Sequence, residues 1–285
     1  MRFLICGCNG MAGHTISLYL KERGHYVFGF DRKKSDLIDS VVGDAFDTEF
    51  VKSLVFSGNF DTIINCIGIL NKAADDNKAV AAYLNSFFPH FLAEITKNTN
   101  IQVIHMSTDC VFSGKRGEYT ERDFQDGTSF YDKSKALGEL IDNKNLTLRN
   151  SIVGPDINPN GIGLMNWFMT QNGEINGYTK TMWTGQTTLQ LAKTMEYASL
   201  RRSHGLVNAV PDHSISKYDL CGLFNKYLRN NKIIIHPVDG VITDKSLKRT
   251  NFEFDYLIPD YETQIKELAD WIYKHKELYP HYHLG

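Results

Sequence analysis

The chain has 285 residues, 42% of them apolar and 22% charged, which suits one large or two small globular domains with a full hydrophobic core. Its formal net charge is −2 without long runs of like charge, and no apolar stretch approaches the roughly 20 residues of a membrane span, so neither a nucleic-acid nor a membrane partner is expected. The first residues lack a signal-peptide pattern and the five scattered cysteines are typical of a reduced protein, so we expect a cytoplasmic location.

The first half of the chain alternates short apolar runs with amphipathic segments. The apolar runs predict strands at residues 2–6, 26–30, 62–66, 103–106 and 146–152. The amphipathic segments predict helices at residues 12–23, 48–57, about 73–99 and about 131–143. Apolar strands that alternate with helices are typical of a parallel sheet covered on both faces. The sequence therefore predicts an α/β fold with a doubly wound parallel sheet of the Rossmann type.

The second half is less regular, because prolines and glycines interrupt it after Gly154. Helices are predicted at residues 164–171 and 188–199, a strand at 206–210, and two further helices that Ser214 or Ser216 and Asp260 would cap. We expect a dinucleotide-binding domain and a smaller C-terminal α/β substrate lobe, with the boundaries 1–154 plus about 186–208 for the domain, and 155–185 and 209–285 for the lobe. The histidines of the tail lack carboxylate or cysteine partners, so no metal site is predicted.

Three glycines follow the first predicted strand. Gly7, Gly10 and Gly13 have the spacing G-x-x-G-x-x-G, which differs from the ordinary dinucleotide fingerprint. At the start of a helix such glycines allow a tight turn and let backbone N–H groups approach a pyrophosphate, although a plain turn is the alternative. We expect Asn9 and Met11 of the same turn to contact a bound dinucleotide as well.

Acidic and basic residues follow the second strand. Asp31 lies where an acid would bind an adenosine ribose and favour NADH, whereas Arg32 and the two lysines after it could hold the 2′-phosphate of NADPH. The cofactor is therefore NADPH or NADH, and a simple turn role for Asp31 stays open. Further along the chain, the expected cofactor contacts are Asp44, Ala45, Cys66, Ile67, Gly68 and Asn85.

Tyr131 and Lys135 are four residues apart on a predicted helix and therefore face the same way. A nearby ammonium stabilises a phenolate and is expected to lower the pKa of Tyr131 toward the range that acid–base catalysis requires. Alone, the pair is more typical of a helix surface. Thr108, however, follows the strand at 103–106, where its hydroxyl can bind the carbonyl oxygen that Tyr131 protonates. We therefore predict Thr108, Tyr131 and Lys135 as catalytic residues, with Tyr131 and Lys135 also contacting the cofactor.

These motifs resemble the extended short-chain dehydrogenase/reductase superfamily, and within it the dTDP-4-dehydrorhamnose reductase family. The segment Ser107–Phe112 matches the family's Ser-Thr-Asp-x-Val-Phe, and Tyr131–Glu139 matches its Tyr-Gly-x-Ser-Lys-x-x-Gly-Glu, with Asp132 in place of the glycine. The resemblance continues loosely through most of the chain. Ile152 replaces a family tryptophan, and residues 182–187 depart from the family's sugar loop, which puts the substrate in doubt. The segments around Cys110 and Trp183 are also similar to relatives that reduce UDP-2-acetamido-4-keto-6-deoxyhexoses.

The resemblance implies hydride transfer from a nicotinamide cofactor to C4 of a dTDP- or UDP-linked 4-keto-6-deoxyhexose, in rhamnose-like or surface-polysaccharide sugar biosynthesis. Tyr131 would protonate the C4 oxygen, Lys135 would hold the cofactor ribose, and Thr108 would orient the carbonyl. The expected sugar contacts are Asp109, Asn166, Trp183, Lys245 and Arg249. Whether the protein is a monomer or a homodimer stays open.

Three other functions are compatible with parts of this pattern. A 4,6-dehydratase is disfavoured because Asp109 is followed by Cys110 instead of the glutamate that elimination needs. An epimerase–reductase similar to GDP-fucose synthase would use Cys110 as an acid/base, although a small buried thiol is the simpler interpretation. A non-catalytic NADP-binding subunit, similar to the regulatory subunit of methionine adenosyltransferase, would not need Tyr131 and Lys135.

Overall fold

The structure of the chain is a computed structural model that describes residues 1–285. Its fourteen strands are β1 (Arg2–Cys6), β2 (Tyr26–Asp31), β3 (Asp39–Val42), β4 (Thr62–Asn65), β5 (Gln102–Ser107), β6 (Leu146–Arg149), β7 (Ser151–Val153), β8 (Glu174–Tyr178), β9 (Thr181–Trp183), β10 (Gly185–Thr187), β11 (Gly205–Asn208), β12 (Ile215–Ser216), β13 (Ile234–Val238) and β14 (Thr243–Asp244). Its ten α-helices are α1 (Met11–Glu22), α2 (Thr48–Ser57), α3 (Asn71–Asp76), α4 (Lys78–Ala81), α5 (Phe88–Thr96), α6 (Phe130–Leu137), α7 (Leu164–Met169), α8 (Thr188–Arg201), α9 (Lys217–Leu228) and α10 (Tyr261–Lys274). A π-helical turn at Ala82–Phe87 joins α4 to α5, and single 3₁₀ turns lie at Asp109–Val111 and Lys276–Leu278.

Seven strands form the central sheet, in the order β11-β6-β5-β4-β1-β2-β3, and each neighbouring pair is parallel. The chain winds outward from β1 to β3 and then, starting again at β4, outward to β11 on the other side. Where the winding reverses, between β1 and β4, the carboxyl ends of the strands leave a crevice in which such folds bind ligands. The predicted doubly wound α/β fold is confirmed.

Alternate residues of the central strands point to opposite faces, and helices cover both. On one face Phe3 and Ile5 pack in a cluster with residues of α1 and α8. On the other face Leu4 and Cys6 pack in a cluster with residues of α2 and α5. Burying each of these large apolar side chains contributes roughly 1.5–3 kcal/mol. Continuous apolar strands such as β1 are therefore required by the architecture, because neither face meets water.

The chain after β6 adds a smaller body with three short sheets, β10-β7, β12-β9-β14 and β13-β8. Its core contains Phe168 of α7, Phe224 of α9 and Ile272 of α10. Helix α8 returns to the central sheet, where it packs against α1 and β5. None of the helices combines the length and the apolar character that a bilayer crossing requires.

Two of the predicted helix caps form as expected. The Ser216 hydroxyl accepts a hydrogen bond from the Asp219 amide at 3.0 Å and begins α9. The Asp260 carboxylate accepts one from the Thr263 amide at 2.8 Å and begins α10. Each cap satisfies a backbone donor that has no partner within the helix.

Other predicted elements change in length. The helix expected at residues 131–143 ends at Leu137, and Gly138, which caps it, packs directly on the carbonyl oxygen of Asn85 and leaves no room for a side chain. The helix expected at residues 73–99 is divided into α3, α4, a π-helical turn and α5. The edge strand β3 was not predicted, since its half-exposed sequence lacks the apolar run of the central strands.

Candidate functional site

A cleft of about 410 Å³ lies at the carboxyl ends of β1, β4, β5 and β6. The first helix opens onto it from one side and α6 from the other. Many residues predicted from the sequence line this cleft: Gly10, Met11, Gly13, Cys66, Ile67, Gly68, Thr108, Asp109, Tyr131 and Lys135. Ile152, which replaces a family tryptophan, lines it too, as do residues that were not predicted from the sequence, among them Asn150, Ser151, Asp156 and Gly163.

The glycine turn has the geometry of a dinucleotide cradle. Gly7 has a φ of +81°, a conformation that side chains rarely adopt. A Cβ on Gly13 would overlap the Gly7 carbonyl oxygen, so the turn and α1 approach each other as closely as glycine alone permits. Gly10 begins α1 without a side-chain cap, which leaves the first N–H groups of the helix directed at the cleft. This end of the cleft therefore suits a pyrophosphate.

Asp31 and Asn9 connect the glycine turn to the end of β2. The Asp31 carboxylate accepts hydrogen bonds from the backbone amides of Asn9 at 3.0 Å and Arg32 at 2.7 Å. The Asn9 side chain donates to the Lys33 carbonyl at 2.8 Å. Arg32, Lys33 and Lys34 themselves are exposed. Asp31, which favours NADH, and the basic residues 32–34, which favour NADPH, thus lie together at one edge of the turn.

Seven predicted cofactor contacts do not line the cleft: Gly7, Asn9, Asp31 and Arg32 belong to the glycine turn and the end of β2, and three others lie elsewhere. The Asp44 carboxylate accepts a hydrogen bond from the Phe46 amide at 3.0 Å, and the Ala45 carbonyl accepts one from Tyr83 at 3.1 Å. Asn85 is fully buried, and both of its amide hydrogens are used, by the Ile69 carbonyl at 2.9 Å and by Ser134 at 3.0 Å. Asn85 therefore braces the loop after β4 against α6.

Tyr131 lies in the first turn of α6 and is 7% exposed at the cleft. Burial raises the pKa of Tyr131, and Cys110 and the carboxylates of Asp109 and Asp132 act in the same direction, whereas the hydroxyl of Thr108 opposes them as a hydrogen-bonding partner. The phenol is therefore held in its protonated form.

Thr108 caps the 3₁₀ turn that follows β5. Its Oγ1 accepts a hydrogen bond from the Cys110 amide and donates one to Asp109, both at 3.1 Å. These two contacts hold the hydroxyl in place near the phenol of Tyr131.

Lys135 is turned toward the sheet. Its Nζ donates a 2.6 Å hydrogen bond to the Met106 carbonyl and lies 3.4 Å from Nε2 of His105. Burial lowers the pKa of Lys135 to about 8, against the opposing effects of Glu139 and Cys66. The expectation that Lys135 lowers the pKa of Tyr131 is not met in this structure, because burial of the phenol dominates and the amine is directed at β5.

Asp132, which replaces the family's glycine, has a defined role. Its carboxylate accepts a hydrogen bond from the Ser129 amide at 3.1 Å, while the Ser129 hydroxyl accepts one from the Asp132 amide at 3.0 Å. This reciprocal capping box fixes the start of α6 and with it the position of Tyr131.

Asp109 lines the cleft, and Lys217 and Lys245, which lie outside the lining, act on its carboxylate. Ser151 donates a 2.7 Å hydrogen bond to the buried Asp109 carboxylate. Burial raises the pKa of Asp109, and Ser151, Lys245, Thr108 and Lys217 oppose the rise. Lys217 was missed in the sequence, because nothing in the pattern around the start of α9 indicates that this helix reaches the end of β5.

Besides Lys245, three residues expected to contact the sugar do not line the cleft. Trp183 is 6% exposed and packs on Tyr261 with ring centres 5.5 Å apart. The Asn166 amide donates to the Gly161 carbonyl at 2.8 Å, and Arg249 donates to the Tyr256 carbonyl at 2.7 Å. Each of them stabilises a loop or the core of the smaller body.

Residues 1–239 match the family model described as the RmlD substrate binding domain. The chain belongs to this family. The predicted resemblance is thereby confirmed.

Two curated relatives have reductase names. The "probable low-salt glycan biosynthesis reductase Agl14" of Haloferax volcanii is 33% identical over 143 residues, which cover 49% of this chain and 48% of the relative. The "dTDP-4-dehydrorhamnose reductase" of Aggregatibacter actinomycetemcomitans is 31% identical over 157 residues, 53% of this chain and 51% of the relative. The chain spans about half the length of the curated relatives it matches.

A solved structure shares the fold over almost the whole chain. The dTDP-4-dehydrorhamnose reductase of Bacillus anthracis, solved in complex with NADP, superposes with a TM-score of 0.79 over 95% of this chain and 99% of its own. Its sequence is 19% identical, so this similarity establishes the fold alone.

Proposed function

We propose that the protein is an NAD(P)H-dependent reductase of the 4-keto group of a nucleotide-linked 4-keto-6-deoxyhexose. The observation that carries the proposal is one cleft that contains Tyr131, Lys135 and Thr108 together with the glycine turn. A phenol, an amine and a hydroxyl beside a dinucleotide cradle are the groups that carbonyl reduction by hydride transfer needs. The reductase names of the two curated relatives support the same class of reaction.

Tyr131 is the acid of the proposed reaction. The raised pKa keeps the phenol protonated at neutral pH, so it donates a proton to the C4 oxygen as negative charge develops there. On substrate binding the Thr108 hydroxyl turns its proton from Asp109 to the same oxygen, and Lys135, released from the Met106 carbonyl, relays the proton that restores the phenol. A bound reduced nicotinamide supplies the hydride.

The glycine turn and the end of β2 hold the cofactor in this proposal. The N-terminus of α1 receives the pyrophosphate, and Asp31 lies beside the adenosine ribose. The exposed Arg32, Lys33 and Lys34 favour NADPH, whereas Asp31 favours NADH, so the cofactor is NADPH or NADH. The bound NADP in the Bacillus anthracis structure supports the first of these.

The predicted substrate lobe, residues 155–185 and 209–285, holds the nucleotide sugar. Lys217 and Lys245 both act on the buried Asp109 and supply positive charge on this side of the cleft, which suits a dTDP or UDP diphosphate. The printed name of the Haloferax relative, a glycan biosynthesis reductase, supports a place in rhamnose-like or surface-polysaccharide synthesis.

The experiment is oxidation of NADPH and NADH, followed by absorbance, with dTDP- and UDP-linked 4-keto-6-deoxyhexoses. Tyr131→Phe is expected to lower kcat by about 10²–10⁴-fold, the range for loss of a positioned acid, and to leave cofactor affinity unchanged. Tyr273→Phe, on the exposed side of α10, is the matched control and is expected to turn over normally. Normal turnover by Tyr131→Phe would refute the assignment of the acid.

The same assay separates the alternatives. A non-catalytic cofactor binder would saturate with NADPH and oxidise none of it with any 4-keto sugar. An epimerase–reductase would incorporate solvent deuterium at C3 or C5 of the product. The structure disfavours that activity, because burial and Asp109 raise the pKa of Cys110 to about 11 and leave almost no thiolate at neutral pH.

A further inference from the structure

His105 is a fully buried histidine for which the proposed reaction has no use. It lies on β5, in register with Asn65 of β4 and beside Lys135 of α6. Burial holds the pKa of His105 well below its ordinary value, and a positive charge on Lys135, or on His90 of α5, lowers it further whenever either group is protonated. The imidazole is therefore neutral.

The position of the single ring proton follows from the neighbours of His105. A neutral imidazole has one donor nitrogen and one acceptor nitrogen. The Asn65 carbonyl oxygen Oδ1 accepts a hydrogen bond from the Ile67 amide at 3.1 Å, so the Asn65 amide nitrogen is the atom that faces Nδ1 of His105, at 3.2 Å. Nδ1 therefore accepts this hydrogen bond, and the ring proton lies on Nε2.

The Nε2–H of His105 points at Nζ of Lys135, 3.4 Å away. If Lys135 were an ammonium, an N–H of Lys135 would face the Nε2–H of His105 across this gap, since an ammonium has three donors and no acceptor. An amine has a lone pair that accepts from Nε2–H, and it still donates to the Met106 carbonyl at 2.6 Å. Only the amine form of Lys135 accepts from Nε2–H of His105 and donates to the Met106 carbonyl at the same time.

We propose that His105 is a positioning residue that donates Nε2–H to Nζ of Lys135 and thereby favours the amine form of this lysine in the cofactor-free protein. Glu139 and Cys66 favour the ammonium form instead, and the pKa of Lys135 is about 8. Lys135 therefore exchanges its proton near neutral pH and is not a permanent cation. An amine accepts as well as donates, which is what a proton relay to Tyr131 requires. The relay rests on the proposed function, whereas the hydrogen bond to Lys135 does not.

The first experiment measures the protonation of Lys135 directly. The intact protein is methylated with formaldehyde and a borane reductant over a range of pH, and the modified peptides are quantified by mass spectrometry. Lys135 is 6% exposed where it lines the cleft, so its labelling is followed over longer reaction times, and the exposed Lys133 on the same helix is the internal control. In the wild-type protein the labelling midpoint of Lys135 is expected near pH 8, well below that of Lys133.

The variant for this experiment is His105→Gln, whose amide can turn its oxygen toward Nζ and thus favour the ammonium. The midpoint of Lys135 is expected to rise by about one pH unit, while that of Lys133 stays unchanged. An unchanged midpoint for Lys135 would overturn the proposal. This result is independent of sugar turnover, so failure of the Tyr131→Phe prediction and failure of this one are distinguishable.

A second measurement needs no variant of β5. ¹⁵N NMR of the wild-type protein with labelled histidine distinguishes the two tautomers of a neutral ring. His14 is also buried with a lowered pKa, but its Nδ1 faces the Gly10 carbonyl at 3.0 Å, so it is expected as the Nδ1–H tautomer. His105 is expected as Nε2–H, and His14→Asn assigns the two signals. A protonated or Nδ1–H ring at His105 would contradict the proposal even if His105→Gln failed to fold.

Discussion

Arg149 and Glu139 form a wholly buried two-pronged ion pair behind the cleft, with Nη2 2.6 Å from Oε2 and Nε 2.9 Å from Oε1. The Ser107 hydroxyl donates to the same carboxylate at 2.6 Å. Ser107 ends β5, and Thr108 follows it. The ion pair therefore ties the end of α6 to β6 and to the strand end that presents the Thr108 hydroxyl.

Glu139→Gln is expected to destabilise the protein by about 3–5 kcal/mol, because it leaves the Arg149 guanidinium buried without a counter-charge. Urea unfolding followed by circular dichroism measures the change. Glu267→Gln, which removes the half-exposed partner of Lys193, is the control and is expected to cost less than about 1 kcal/mol. Equal losses of unfolding free energy in the two variants would mean that the buried ion pair contributes no more to stability than the partly exposed one.

Gly13→Ala is expected to displace the glycine turn, since a Cβ at this position overlaps the Gly7 carbonyl oxygen. Cofactor affinity, measured by calorimetric titration with NADPH and NADH, should fall by about tenfold or more, which corresponds to about 1.4 kcal/mol. Gly222→Ala on α9 has open space around the new methyl group and is the matched control. Unchanged affinity in Gly13→Ala would show that this turn does not hold the cofactor.

Thr108→Val removes the hydroxyl proposed to bind the C4 oxygen and keeps the shape of the side chain. The expected loss in kcat is about 10²–10³-fold, the cost of removing one preorganised donor to a developing oxyanion. Thr108→Ser retains the hydroxyl and should retain most of the activity. Steady-state kinetics with the 4-keto sugar measures both variants, and similar losses in the two would indicate a packing role for Thr108.

Cys110 is expected to resist alkylation at neutral pH. Its thiol has a pKa of about 11, raised first by burial and then by the Asp109 carboxylate, so the reactive thiolate becomes abundant only in strongly alkaline solution. Asp109→Asn removes the negative charge and should lower this pKa, which shifts the rate profile for iodoacetamide to lower pH. Peptide mass spectrometry gives the rate at each pH. Rapid alkylation of wild-type Cys110 at pH 7 would contradict the prediction and revive a chemical role for the thiol.

Local patterns in the sequence were sufficient for much of the fold. A central parallel strand is buried on both faces, so β1, β2, β4, β5 and β6 had to be apolar runs that are visible in one dimension. Helix caps such as Ser216 and Asp260 are also local, since their bonds span three residues. The glycine turn and the spacing of Tyr131 and Lys135 are local for the same reason, and the fold alone was enough to bring them to one edge of the sheet.

Only the tertiary structure decided contacts between residues far apart in the chain. Gly138, which caps α6, packs on the backbone of Asn85, and the protonation of Lys135 depends on His105 and on Asn65 of the adjacent strand β4. Trp183 faces the core and not the cleft because α10 brings Tyr261 against it. The sequence by itself determined which elements form and which chemical groups stand at their ends. The environment of each group, its burial and its hydrogen-bond partners, was decided by packing, because the partners come from segments whose positions no local pattern encodes.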